Sequence, residues 1–331
     1  MTRVGIIVNP ASGHDIRRLI SAATVVDNSE KGAMTVRLLS GLGATGVDEV
    51  LMMPADLTVS RAIDRIARSL VVQGLTAPLP SLTWLDLPTT YHARDTIAAL
   101  AAMVEAGVDA VCVLGGDGTQ RLVHGRVDEI PVLPLSTGTN NIYPVWTEAT
   151  VAGIAAGLVA TGQVSREQGC VREKALEVTC AGRTEAALVD VGVISDTFAG
   201  ARAIWRPDHI HEVVVCFADP CAIGLSSIAA SVIDLPRGSD HGAKVVIGDG
   251  PLSRVPIAPG LVVDIPVAEV TPVALGQTVS LLDVAGTISV DGEREIERYR
   301  GEPATVTLTE GPWRIDVGRV LGATRLQRAS T

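Results

Sequence analysis

Hydrophobic positions in the first half of the chain fall into short unbroken runs, each ended by turn-forming residues. RVGIIV (3–8) stops at Asn9-Pro10, EVLMMP (49–54) and TWLDLP (83–88) at their own prolines, and DAVCVL (109–114) in a cluster of glycines. PVLPLS (131–136) runs into TGTNN (137–141). Short β-branched and aliphatic runs of this kind predict strands buried on both faces. Between them the period changes. TVSRAIDRIARSL (58–70) puts Ile63, Ile66, Ala67 and Leu70 on one helical face, and ARDTIAALAAMVEAG (93–107) predicts a helix closed by Gly107. A further helix fits ATVAGIAAGLVATG (149–162). Strands alternating with helices predict right-handed crossovers and a parallel sheet, whose carboxyl edge is where ligands bind.

After about residue 165 the pattern changes to apolar alternation broken by turns. KALEVTCAGRTEAALVDVGVI (174–194) predicts two strands around Ala181-Gly182. Strand patterns continue over 211–219, 243–250, 261–270, 279–299 and 303–311, which predicts an antiparallel sandwich or distorted barrel. Residues 235–242 are loop-like, and partial disorder is expected over 321–331. The fold class expected is therefore α/β plus all-β, and 331 residues suffice for two cores.

Composition narrows the function. A net charge of −10 argues against an extended nucleic-acid groove. Lysine occurs only at Lys31, Lys174 and Lys244, so a cation facing phosphate is expected to be an arginine (Arg121, Arg126 or Arg202) or a metal ion. The cysteines Cys112, Cys170, Cys180, Cys216 and Cys221 form no CxxC pair and are expected to be reduced core residues. No stretch approaches the ~20 apolar residues of a membrane helix, the N-terminus lacks a signal-peptide pattern, and no basic amphipathic helix suggests a membrane partner. A cytoplasmic location is expected.

The candidate chemistry lies in three polar loops, each following a predicted strand: Asn9-Pro10-Ala11-Ser12-Gly13, Gly115-Gly116-Asp117-Gly118-Thr119, and Ser136-Thr137-Gly138-Thr139-Asn140-Asn141. Glycines let backbone N–H groups approach a phosphate, and the helix start near Thr119 favours an anion. Neither the lysine of a P-loop nor a G-x-G-x-x-G after the first strand is present. Asp117 would repel a phosphate. It can instead hold a magnesium ion, accept the proton of an attacking hydroxyl or bond a ribose, all of which suit phosphoryl transfer. His209-Ile210-His211 offers two imidazoles without an evident third ligand, and a polar strand start is expected there. Met34, Met52, Met53 and Met103 are expected in the core.

Together NP-x-SG, GGDGT and the following G-T loop resemble the NAD kinase and diacylglycerol kinase superfamily, over about residues 3–310. STGTNNIYP (136–144), VISDTFAGARAIW (193–205), AIGLSSIAAS (222–231) and RVPIAPG (254–260) resemble, within it, the ATP-NAD kinase-like proteins of the acetoin-catabolism protein X type. The resemblance implies an NAD kinase-like two-domain fold, with a Rossmann-like N-terminal parallel sheet and a β-sandwich-like C-terminal domain. The domains expected are 1–147, 148–310 for substrate binding and oligomerisation, and a segment 311–331 returning to the first. ATP or polyphosphate as donor, Mg2+ and a homo-oligomer are implied. Asp117 matches the expected base. Asn9, Ser12, Gly13, Gly115, Gly116, Gly118, Thr119, Gly138, Thr139 and Asn140 are implied for the nucleotide phosphates, with Asn141, Asp190, Asp196 and Asp291 for substrate. Asp190 keeps the acid of the Asn-acid pair that holds NAD in NAD kinases, but Val189 replaces the asparagine. AIGLSSIAAS likewise stands in for their NAD-contacting Thr-Gly-Ser-Thr-Ala-Tyr stretch. A kinase acting on a small-molecule hydroxyl is expected, the 2′-hydroxyl of NAD first, another polyol or nucleotide second. A non-catalytic nucleotide-binding module is the alternative.

Overall fold

The computed structural model describes residues 1–12, 26–74, 78–127, 129–138, 141–196, 204 and 206–329, with the backbone alone for Arg294 and residues 325–329. Gly13, Thr139, Asn140 and Arg202 lie outside the described residues, as do most of residues 197–205. The chain forms two compact units. One holds the described residues up to Arg172 and those from Pro312 onward; the other holds Glu173–Gly311.

The first unit contains, in order, β1 (Arg3–Val8), α1 (Asn28–Ala44), β2 (Glu49–Met52), α2 (Leu57–Gln73), β3 (Ser81–Trp84), α3 (Ala93–Glu105), β4 (Ala110–Gly115), α4 (Asp117–Val123), β5 (Val132–Ser136), α5 (Ala149–Ala160) and α6 (Arg166–Gly169). The strands pair in parallel in the order β3-β2-β1-β4-β5. The chain thus builds outward from β1 to β3, then returns to β1's other side with β4. That reversal is the switch point where α/β sheets hold ligands. Alternate residues of β1 serve opposite layers. Ile6 and Val8 pack with Leu38, Leu42 and Ala152, whereas Ile7 packs with Leu100 and Met103. Burial on both faces explains the unbroken apolar run. The four methionines expected in the core are buried.

The second unit's strands are β7 (Arg183–Ala187), β8 (Asp190–Ile194), β9 (Ile210–Val215), β10 (His241–Ala258), β11 (Leu261–Ala274), β12 (Thr278–Ser280), β13 (Gly286–Val290) and β14 (Glu293–Arg298), with the short helix α7 (Ser226–Ala230) between β9 and β10. β11-β10-β9-β8-β13-β14 form an antiparallel sheet. Its core gathers Val213, Val215, Ile228, Leu235, Val245 and Ile265. The chain leaves the first unit within β6 (Cys170–Cys180), which pairs antiparallel with β7, and re-enters it within β15 (Ala304–Ile315), followed by α8 (Val317–Ala329). A parallel-dominated sheet and an antiparallel sheet in a mixed α/β chain agree with the coarse expectation.

Several elements depart from the sequence pattern. Helix α1 was not predicted, because Gly32, Gly41 and Gly43 interrupt its apolar period. The strand expected over 83–88 instead spans Ser81–Trp84. Residues 174–194 carry a third strand, since Leu188-Val189 breaks the run between β7 and β8. Of the end expected to be partly disordered, the described residues 321–329 are helical, and Val320 just before them is buried in the first core. Cys221 is exposed, not a core residue, whereas the other four cysteines are buried.

Candidate functional site

The loops after β1, β4 and β5 are tied to one another by side chains. Asn9 N–H donates to the Leu114 carbonyl (3.0 Å), holding the ends of β1 and β4 together. The Asn9 side chain accepts from Ala11 N–H (2.9 Å) and donates from Nδ2 to Thr119 Oγ1 (2.8 Å). Ser12 Oγ lies 3.0 Å from Thr137 Oγ1 and donates to the Asn9 carbonyl at 2.9 Å. Asn9 therefore reaches the second loop and Ser12 the third.

Glycines permit these loops to touch. A Cβ on Gly115 would lie 2.5 Å from the Thr119 side chain; one on Gly138 would lie 2.4 Å from Asn141 Oδ1 and 2.9 Å from Gly116 Cα. None of Gly115, Gly116 and Gly138 takes a left-handed φ, so close approach and not backbone strain is the reason for glycine here. Asn141 is fastened from the other side, its Nδ2 donating to Ser136 Oγ at 2.7 Å. Gly118 is the second residue of α4.

Asp117 opens α4 and is buried. Its carboxylate accepts from Ile142 N–H (3.1 and 3.2 Å to the two oxygens) and from Tyr143 N–H (2.9 Å). The carboxylate of the second loop thus anchors the backbone just beyond the third, a contact 25 residues away that the motif alone does not suggest.

Sequence inspection also passed over Lys31. Its side chain lies fully buried beneath the first loop, where Nζ donates to the carbonyls of Asn9 (3.1 Å), Pro10 (3.1 Å) and Ser12 (2.9 Å) and to Asn28 Oδ1 (3.0 Å). Burial pulls its pKa down to about 8, against the opposing pull of Asp56 and Asp27. This lysine underlies the loop and faces its carbonyls. The scarcity of lysine was the available signal.

In the second unit Asp190 and Asp291 come together. Asp291, at the turn between β13 and β14 with φ 49°, accepts from the N–H groups of Leu188, Val189 and Asp190, at 2.8 Å for Val189. Its own N–H donates to the Asp190 carbonyl, and Asp190 Oδ1 accepts from Gly292 N–H at 3.2 Å. This is a buried hairpin lock in which both carboxylates bond backbone. Asp196 instead meets His209 Nδ1 at 3.2 Å. Ser195 Oγ approaches the same nitrogen at 3.3 Å, so these three residues do not form a relay across an imidazole. His209 and His211 belong to no metal-holding group: no cluster of three or more His, Cys, Asp or Glu suited to a metal occurs among the described residues.

Gly116, the N-cap of α4, offers no side-chain cap, and a helix start without one suits a polyphosphate. Magnesium usually takes one or two carboxylates and completes its shell with water and phosphate oxygens. Asp117 is the one carboxylate in these loops, so the donor set suits a magnesium carried in with the nucleotide and not a resident metal cage.

A parallel sheet with phosphate-suited loops at its switch point and one carboxylate among them is the architecture of an ATP-NAD kinase-like protein. Residues 4–164 match the ATP-NAD kinase N-terminal domain, and residues 174–311 match the acetoin catabolism protein X C-terminal domain. The chain belongs to the acetoin catabolism protein X family. It is 40% identical over 325 residues to acetoin catabolism protein X of Cupriavidus necator, covering 95% of this chain and 90% of that protein.

Proposed function

We propose that this protein is an ATP-dependent kinase that phosphorylates a hydroxyl of a small molecule. The 2′-hydroxyl of NAD is the first acceptor to test, and another polyol or nucleotide the second. The observation that carries this reading is the placement of Asp117 at the head of α4, among three loops joined by Asn9 and Ser12. Asp117 would orient the acceptor hydroxyl and take its proton as the oxygen bonds the terminal phosphorus and the bond to the departing diphosphate breaks. The glycine loops would fix the phosphates in line. Magnesium, when bound with the nucleotide, supplies charge neutralisation, with Asp117 the candidate side chain to hold it. Polyphosphate is the alternative donor.

Two observations bear on the alternatives. Val189 replaces asparagine, and the adjacent Asp190 and Asp291 carboxylates bond backbone N–H groups of their own hairpin, which keeps another polyol or nucleotide as the second acceptor. The Asp117 carboxylate already holds Ile142 and Tyr143, a use that a pure nucleotide-binding module would share. ADP release with ATP and magnesium, against NAD and a panel of polyols, separates these readings when Asp117→Asn is run in parallel. General-base loss should cost about 10²–10⁴-fold in turnover. Turnover with NAD establishes the first acceptor, and turnover only with a polyol the second. ATP binding that survives in both proteins without any turnover leaves the binding module.

A further inference from the structure

Lys31 sits in the first turn of α1, yet its ammonium points away from any exposed surface. An ammonium has three N–H donors, and four acceptors lie within 2.9–3.1 Å of Nζ, so at least one proton is shared. Three of those acceptors are main-chain carbonyls of one turn, converging on a single point. Without a cation at that point their negative ends would face each other in a buried place, and the Pro10 and Ser12 carbonyls would lose the partner that Nζ provides. The turn's shape therefore depends on the charge beneath it.

That shape is transmitted. The turn carries the two side chains that reach the neighbouring loops, Asn9 to Thr119 and Ser12 to Thr137. Its carbonyls also serve these contacts, since Asn9's accepts from Ser12 Oγ as well as from Lys31. Movement of the turn by an ångström would break both bridges together.

We propose that Lys31 is the positioning residue of the phosphate site: from beneath the Asn9–Ser12 turn, its ammonium holds the conformation through which Asn9 and Ser12 join the other two glycine loops. The inference rests on those loops being a nucleotide site. Lys31 itself would touch no ligand.

The charged state has a boundary in an accessible pH range. Among the described residues, the charges facing Lys31 are Asp27, the N-cap of α1, and Asp56, the N-cap of α2, which also accepts from Asn28 Nδ2. Both favour the ammonium, but burial outweighs them and brings the pKa from 10.5 to about 8. A neutral amine has two donors and presents a lone pair to the carbonyls, so the turn loosens as pH rises through about 8. The linkage of this one group to global folding has the opposite sign. Between about 8 and 10.5 the unfolded chain holds the proton that the folded chain has lost, so this group's contribution to stability rises with pH. A fall in ligand affinity that comes from deprotonation of Lys31 is then a local effect and not unfolding driven by this group.

The experiment compares wild type with Lys31→Met, an unbranched neutral replacement, using magnesium-ATP as the probe and exchange protection of the Asn9–Ser12 peptide as a readout that needs no ligand. The expected result is an ATP Kd at least tenfold weaker in the variant at pH 7. The wild-type Kd should weaken from pH 7 to 9 and the variant's should stay flat. Protection of the peptide should fall in the variant, and in wild type at pH 9. Equal protection in both proteins, with Kd values within twofold and superposable pH profiles, overturns the proposal. If the variant does not fold, wild type decides alone: protection factors unchanged between pH 7 and 9 overturn it. If wild type binds no ATP, the nucleotide reading fails, while peptide protection still decides whether Lys31 holds the turn.

Discussion

Asp117 and Lys31 show how differently two charged residues in one site can be legible. The carboxylate announces itself because glycines crowd around it in sequence. The ammonium does not, because its carbonyl partners lie 19 to 22 residues away and any residue supplies a carbonyl. Asp95 is a third case. Its carboxylate accepts from Thr90 and Tyr91 N–H groups (both 2.7 Å) and from the Thr90 hydroxyl, holding Tyr91 at a left-handed φ of 61°. Burial raises its pKa, but these hydrogen bonds outweigh burial and leave it below the ordinary 3.8. The stabilising contribution is thus present above pH 3.8 and lost as pH falls through the lowered value. Asp95→Asn should be less stable than wild type at pH 6 by about 1 kcal/mol, the difference between hydrogen bonds to a charged and to a neutral acceptor. The gap should narrow in melts below pH 3.8, and a gap constant with pH would refute the charge argument.

Among the helices, those with a clear apolar period were readable and α1 was not. Helix α2 has Asp56 as N-cap and Gly74 in the left-handed conformation at its C-cap, so both its ends carry recognised signals. Helix α1 packs so closely on α5 that glycine replaces the apolar residues that would mark its face. A Cβ on Gly41 would lie 2.3 Å from the Thr150 carbonyl oxygen, and one on Gly153 would lie 2.3 Å from that of Leu38. Backbone cannot yield as a flexible side chain can. Gly153→Ala should therefore destabilise the protein by about 1–3 kcal/mol despite alanine's better helix propensity, read as a lower urea midpoint. Unchanged or raised stability would mean that the two helices separate at little cost. The β13–β14 turn behaves oppositely: Asp-Gly is a dipeptide that favours a tight hairpin on its own, and Asp291 and Gly292 both take positive φ.

The five cysteines follow their surroundings, with Cys112, Cys170, Cys180 and Cys216 buried and Cys221 exposed. Burial drives the Cys112 thiol up to about 12, far from a reactive thiolate. A thiol-reactive chromogen should titrate one group rapidly in the native protein and five after denaturation; several fast thiols in the native state would contradict this burial. No helix among the described residues is long and apolar enough to cross a membrane, in keeping with the absence of long apolar runs. Hydrophobic period and turn residues determined the parallel strands of the first unit, the antiparallel character of the second and the position of three glycine loops at one sheet edge, because these depend on neighbours in sequence. The sequence left open which loop fastens to which: Asn9 to Thr119, Ser12 to Thr137, Asp117 to the amides of Ile142 and Tyr143, and Lys31 to the carbonyls beneath. Those choices belong to the tertiary structure, because backbone groups are common to every residue and only the packed chain brings a particular one within hydrogen-bonding distance of a particular side chain.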